Sequence, residues 1–351
     1  MKFSTRILEV GPNPRKDPAL QEASRLLREG MLVAFPTETV YGLGGDAARS
    51  EVIDKIFEAK NRPSDNPLIV HLDRAERVQD YCSQTHPSLE ILSKTFWPGP
   101  LTIVLPANHA VRQTVCRGLK TVALRVPNHE IARELIRQTD AGLAAPSANI
   151  SGRPSPTTAQ HVFQDMNGRI PLILDGGPCL VGIESTVLDL SEELPVILRP
   201  GMITQQDLEE VLGFPVLLAQ KNEALRRSPG TRYRHYSPNA PVYLLGPSIS
   251  DEVFQKLVQF LAVKGEVGYL GDRPPGSCIH IQVELDKLAA QLYSGLRDLD
   301  TSQACGIIVD GLKEQDTGIS VMDRLKKAAS HYFESDHEAL QFLSSPTSDQ
   351  E

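Results

Sequence analysis

MLVAFPTETVYGLGGDA, residues 31–47, begins as a buried apolar strand and breaks at Pro36. Proline lacks the N–H that a sheet ladder uses, so the strand stops there. Hydroxyls follow at Thr37 and Thr39, and Gly42, Gly44 and Gly45 let backbone approach a ligand closely. Loops after strands are where α/β sheets place ligands. Alone, a glycine-rich turn is equally well read as a turn.

The flanking segments repeat the alternation. Residues 18–29 set Leu20, Ala23, Leu26 and Leu27 at helical spacing, with Gly30 as the stop. A second amphipathic helix is predicted at 51–60, with Val52, Ile53, Ile56 and Phe57 on one side. Short apolar strands are predicted at 68–72, 101–106, 121–127, 172–175, 185–190 and 195–199, and helices at 129–138, 157–166 and 204–212. Several strands follow one another with no helix between them, so the sheet should be mixed. An α/β domain is expected over 1–213. Residues 214–240 turn polar, basic and turn-rich and read as a linker. Strands and helices then alternate over 241–332, as in a small doubly wound domain, without a GxGxxG dinucleotide fingerprint.

The chain has 351 residues, 40% hydrophobic and 23% charged, which suits two globular domains and excludes a disordered or collagen-like chain. No apolar run approaches a membrane span and the N-terminus lacks a signal-peptide core, so a cytoplasmic protein without membrane contact is expected. Of the net charge of −8, five charges fall in residues 333–351, which hold no Lys or Arg and read as an acidic tail. Whole-protein charge therefore gives no nucleic-acid signature, though a local basic cleft remains open. Five cysteines, none spaced CxxC, read as reduced thiols rather than zinc ligands or a disulfide framework.

Four further segments carry polar chemistry. KNRPSDNPLIVH (60–71) ends a helix with Lys60 and Arg62; cations there offset the helix dipole, and a Lys-x-Arg pair also suits a polyphosphate. AAPSANISGRPSPT (144–157) is dense in hydroxyls, DGGPCLVGIESTVLDL (175–190) leads through Ser185 into a strand, and ILRPG (197–201) puts Arg199 at a strand end. Arg125 lies within an apolar strand and must find a partner, either structural or in a ligand. His71, in LIVHL, reads equally as a core histidine. There is no Walker motif, GxSxG, HExxH or DxDxDG.

In their order along the chain, PTETVYGLG, KNRPSDNPLIVH, FWPGPLT, ALRVP, APSANISGRPSPT, DGG…GIESTV and LRPG resemble the YrdC/Sua5 family. PGTRYRHYSP (229–238) and GISVMDRLKKAA (318–329) resemble its two-domain Sua5 branch. The resemblance covers residues 5–332. It implies a YrdC-like twisted mixed sheet with flanking helices, followed by a smaller Rossmann-like Sua5 C-terminal domain. It implies an L-threonylcarbamoyladenylate synthase, a nucleotidyltransferase that joins L-threonine, bicarbonate or CO2, and ATP with loss of pyrophosphate. The product would feed the t6A modification of tRNA through a downstream threonylcarbamoyl transferase. Mg²⁺ is expected with ATP.

Carried over by motif, the threonine pocket falls on Thr39, His71, Arg125, the backbone at Ala145, and Ser185. The ATP contacts fall on Arg62, Asn66, Thr121, Ser147, Asn149, Ser155 and Arg199, with Tyr233 of the linker closing over the nucleotide. Lys60 and Arg62 are the expected catalytic cations, and with Arg125 and Arg199 they should line a cationic cleft. GGDA (44–47) and VMDRL (321–325) depart from the family's usual forms, at positions that touch no expected ligand contact. The competing readings are a module that binds double-stranded RNA or tRNA without this catalysis, for which 5% aromatic residues offer little stacking surface, and a carbamoyltransferase of the hydrogenase-maturation type. The latter needs zinc-finger and acylphosphatase segments that this sequence lacks.

Overall fold

The strand expected at 31–36 is Val33–Phe35, fully buried, and it lies inside a larger sheet than the apolar runs alone announce. The structure is a computed structural model that describes residues 3–63, 66–219, 235–274 and 276–345. The chain divides into two units, 1–233 and 234–351.

Among the described residues the first unit builds eleven strands. They are Arg6–Glu9 (β1), Val33–Phe35 (β2), Gly42–Asp46 (β3), Ile69–His71 (β4), Leu101–Pro106 (β5), Thr121–Arg125 (β6), Leu143–Ala144 (β7), Leu172–Asp175 (β8), Thr186–Asp189 (β9), Val196–Arg199 (β10) and Leu217–Leu218 (β11). Their order is β1-β8-β2-β3-β7-β4-β6-β5-β9-β10-β11. The sheet is mixed, as expected: β4 runs parallel to β6, while β6 runs antiparallel to β5.

Helices Ser50–Lys60, Leu89–Phe96, Ala159–Met166 and Gln205–Leu212 contribute Ile53, Leu92, Val162 and Leu208 to the main core. A second core packs helices Pro18–Arg28 and Glu130–Thr139 against Val33, Phe35, Leu172 and Leu174. Helix Pro18–Arg28 starts where its sequence says it should. Asp17 accepts from the Ala19 N–H at 2.8 Å, and Pro18 occupies the first turn, where no N–H is missed.

Two expectations are corrected here. Residues 42–46, read as a ligand-facing loop, form strand β3. Its glycines serve packing: a Cβ on Gly44 would lie 2.6 Å from a ring carbon of Phe35. Residues 214–219, assigned to the linker, belong to the first unit, because β11 pairs parallel with β10 and Val216 is buried.

The second unit holds Val242–Leu245 (β12), Val267–Gly271 (β13), Ile279–Gln282 (β14), Gly306–Asp310 (β15) and His331–Phe333 (β16). All pairings are parallel, in the order β14-β13-β15-β12-β16. Helices Asp251–Ala262, Leu288–Thr301 and Thr317–Ala328 connect the strands, which matches the doubly wound expectation. The acidic tail is corrected: Phe333 ends β16, and residues 336–344 form a helix whose Phe342 packs on Tyr243, Phe260, His331 and Phe333. Of the acidic side chains of that segment, Asp336 and Glu338 lie in the first turn of this helix, and Asp349 and Glu351 lie outside the described residues. Among the described residues no helix is long and apolar enough to cross a membrane. The five cysteines are free thiols.

Candidate active site

His71 ends β4 directly beside Arg125, which ends β6, so both project from the same face of the sheet. The next strands continue the line. Thr102 on β5 shares a 2.8 Å hydrogen bond with Ser185, just before β9, and Arg199 at the end of β10 wraps Ser185. Five neighbouring strands thus set His71, Arg125, Thr102, Ser185 and Arg199 in one polar row, and all five residues are buried.

Arg199 reaches that row through an irregularity. The pairing of β10 with β9 shifts register between Ile197 and Arg199. Ile197 packs in the main core and Leu198 on the opposite face, so strict alternation would return Arg199 to the main core. The bulge instead turns its guanidinium onto Ser185, with Nη2 donating to the Ser185 carbonyl at 3.0 Å and to Oγ at 3.2 Å. Beside the row, Ile69, Val104, Ala123, Val187 and Leu198 form a small apolar floor. Sequence reasoning missed this floor; its signal was the alternation of Ile69 with His71 and Ala123 with Arg125 at two-residue spacing.

The loop after Pro36 closes one end. Thr37 Oγ1 accepts from the Thr39 and Val40 N–H groups, donates to the Val40 carbonyl at 2.7 Å, and shares a 2.9 Å hydrogen bond with Thr39 Oγ1. This local hydroxyl turn holds Thr39 against Arg125, whose Nη1 donates to Thr39 Oγ1 at 2.9 Å. Arg125 Nε donates to the Gly99 carbonyl at 3.2 Å, and Nη2 lies 2.8 Å from Glu38 Oε1. Glu38 is therefore the protein partner of Arg125, and the sequence reading did not name it. The 179–182 segment borders the same loop, with the Val181 and Gly182 N–H groups donating to the Glu38 and Thr39 carbonyls.

Burial first, then the neighbouring Arg125 charge, pushes the His71 imidazole down to about 3, against a weaker opposing effect of the Ile69 carbonyl. His71 is thus a neutral hydrogen-bonding group. Burial pushes the Cys179 thiol up to about 12, which argues against a thiolate nucleophile. Ala145 directly follows β7, and its N–H donates to the Ile69 carbonyl at 2.9 Å, which places its backbone beside β4.

The expected nucleotide residues fall in two groups. Lys60 is buried, and its ammonium donates to the Ser147 carbonyl, to the Asn149 carbonyl at 2.6 Å and to Asn149 Oδ1 at 3.4 Å. Asn149 Nδ2 in turn donates to the Ile150 and Arg153 carbonyls. Lys60 thus fixes the 147–153 loop through its three N–H donors. Arg62 donates to the Asn66 and Pro67 carbonyls at 3.4 and 3.1 Å, and Asn66 is fully buried. Ser155 donates to Glu184 Oε1 at 2.5 Å, and Thr121 begins β6, four residues before Arg125. Tyr233 lies outside the described residues. Of the four cations expected to line one cleft, Arg125 and Arg199 share the polar row, while Lys60 is turned onto loop carbonyls.

Two family models cover nearly the whole chain. One, named for Sua5, YciO and YrdC and described as telomere recombination, matches residues 25–201. The other, the C-terminal domain of threonylcarbamoyl-AMP synthase, matches residues 203–330. The chain belongs to the YrdC/Sua5 family. Within it, the chain is 42% identical to the threonylcarbamoyl-AMP synthase of Pyrococcus abyssi, over 88% of this chain and 93% of that protein. It is 43% identical to the Bacillus subtilis threonylcarbamoyl-AMP synthase, over 89% and 93%. The solved structure of P. abyssi Sua5 complexed with L-threonine superposes with a TM-score of 0.85 at 39% identity, covering 94% of this chain and 98% of that one. This is the two-domain Sua5 architecture that the sequence resemblance implied.

Proposed function

We propose that this chain is a threonylcarbamoyl-AMP synthase of the nucleotidyltransferase class, forming threonylcarbamoyl-AMP and pyrophosphate from L-threonine, bicarbonate or CO2, and ATP. The observation that carries the reading is the polar row. Arg125 and Arg199 sit on one sheet face with the Thr102 and Ser185 hydroxyls between them, so two anions can be held side by side. Placing two anions against each other is the main demand of this reaction.

Threonine's amine adds to bicarbonate with loss of water, or to CO2 with loss of a proton, and gives a carbamate. A carbamate oxygen then bonds to the α-phosphorus as the bond to the β-phosphate oxygen breaks, releasing pyrophosphate. Arg125 would take the threonine carboxylate and neutral His71 its hydroxyl. Arg199 would face the phosphates across Ser185, with Arg62, Asn66, Thr121, Ser155 and the 147–149 loop as nucleotide contacts. The apolar floor suits the adenosine moiety. Lys60 acts in this scheme as a positioning residue that holds the nucleotide loop.

Catalysis then rests on orientation and charge neutralisation rather than on a protein nucleophile. Mg²⁺ would enter on the triphosphate, held by phosphate oxygens and water. The setting is the cytoplasm, and the product passes to a downstream threonylcarbamoyl transferase acting on tRNA. Pyrophosphate release from ATP tests the proposal. It should require both threonine and bicarbonate, and release indifferent to threonine defeats it.

A further inference from the structure

Four buried polar atoms gather around Arg125 without a hydrogen-bond partner among the described residues: Glu38 Oε1 and Oε2, Arg125 Nη2 and His71 Nδ1. Buried polar groups are normally paired, because leaving one unpaired costs about 1–3 kcal/mol, so such a cluster calls for an explanation. Glu38 and Arg125 approach to 2.8 Å, yet no N–H of Arg125 is aimed along that line. A purely structural ion pair should be aligned.

The rest of Arg125 is fixed without Glu38. Nε and Nη1 are aligned on two neutral acceptors, the Gly99 carbonyl and the Thr39 hydroxyl. The guanidinium is therefore held in place with Nη2 left to an anion. Glu38 is equally well placed by its backbone, whose carbonyl accepts from the Val181 N–H at 2.8 Å. The pocket thus holds a preset cation, a preset carboxylate and a neutral imidazole. These complement a zwitterion that bears a side-chain hydroxyl.

We propose that Glu38 is the receptor for the substrate's ammonium group: the Glu38–Arg125 pair opens on binding, and each partner takes the opposite end of the amino acid. The substrate carboxylate replaces Glu38 on Nη2, and the ammonium replaces Arg125 on Glu38. The exchange keeps the buried charge balanced throughout, which a lone buried arginine would not. It makes Glu38 the residue that selects an α-amino acid over the corresponding hydroxy acid. The inference rests on the proposed threonine-dependent function and names the group that reads the amine.

Calorimetry on the full-length chain tests it with two probes, L-threonine and 2,3-dihydroxybutyrate, which keeps the carboxylate and side-chain hydroxyl and replaces the amine. Wild type should favour threonine. Glu38→Gln should cut that preference about tenfold or more, chiefly through weaker threonine binding, and Glu38→Asp, which keeps the charge, should recover part of it. A folded Glu38→Gln with wild-type preference overturns the assignment, whether or not both affinities fall together, and so does a folded Glu38→Asp with no preference for threonine. Wild type that binds neither probe overturns the threonine reading itself.

Discussion

Lys60 grips Asn149 twice, through the main-chain carbonyl at 2.6 Å and through the side-chain oxygen at 3.4 Å. Its third contact is the Ser147 carbonyl. A helix end is thereby fastened to a loop almost ninety positions later by one ammonium group.

Lys60→Met should leave these carbonyls buried without a donor and free the loop, at a cost of about 1–3 kcal/mol. The KM for ATP should rise more than that for threonine. Amide exchange at 147–153 should quicken, and protection equal to wild type there would count against the clamp. Lys60→Arg should not rescue, because a flat guanidinium cannot point at three converging acceptors.

Arg199 and Ser185 link the two halves of the polar row. Arg199→Lys loses the paired donors to the Ser185 carbonyl and hydroxyl. Affinity for ATP and for threonine should both weaken, by about tenfold each. A variant that affects ATP alone would show that Ser185 is positioned without Arg199.

The His71 imidazole is held near 3 in the folded protein, against a usual value of 6.5. Between those limits the unfolded chain binds more protons than the folded one. Stability is therefore complete above about pH 6.5 and declines as pH falls towards 3, by up to about 1.4 kcal/mol per pH unit. Burial shifts His129 in the same direction. Denaturation midpoints measured from pH 7 to 4.5 should fall less steeply in His71→Gln; an identical slope would sink the assignment.

Gly201 lies against Ser185 and Thr186, where an added Cβ would collide with backbone atoms that cannot yield. Gly201→Ala should destabilise the first unit by about 1–3 kcal/mol and weaken threonine binding with it. Gly213→Ala is the contrast: its φ of 75° is unfavourable, but nothing lies within 4 Å of the new carbon. It should cost about 1 kcal/mol and leave binding unchanged, which separates backbone strain from displacement of the site. Thermal unfolding and calorimetry together read both effects.

How much of this was readable beforehand depended on where each partner lies in the chain. Arg125 announced itself as a charge inside an apolar strand, but its partner Glu38 lies on the loop after β2 and has no periodic relation to it. Lys60 was visible as part of a Lys-x-Arg signature. Its acceptors are mostly main-chain carbonyls, which no side-chain pattern displays, and so its hold on the 147–149 loop was not legible. Strands long enough to show as apolar runs, such as β5 and β6, were found almost to the residue. The two-residue strands β7 and β11 are too short for any period and exist only through their neighbours. The helix at 336–344 was hidden because the whole segment 333–351 was read by its net charge, while Ala339 and Phe342 carry the packing.

The strand order also constrains how a newly made chain reaches this state. β1 adjoins β8, whose residues emerge from the ribosome more than 160 positions later, and Arg199 completes the polar row only when β10 has followed. During synthesis, then, the early strands wait without their final neighbours, and no partial product carries both anion-holding arginines in place. Emergence of β10 from the ribosome, rather than any local helix formation, is the event that completes the polar row. Pauses in translation before β10 should leave an exposed apolar sheet edge for chaperones to shield.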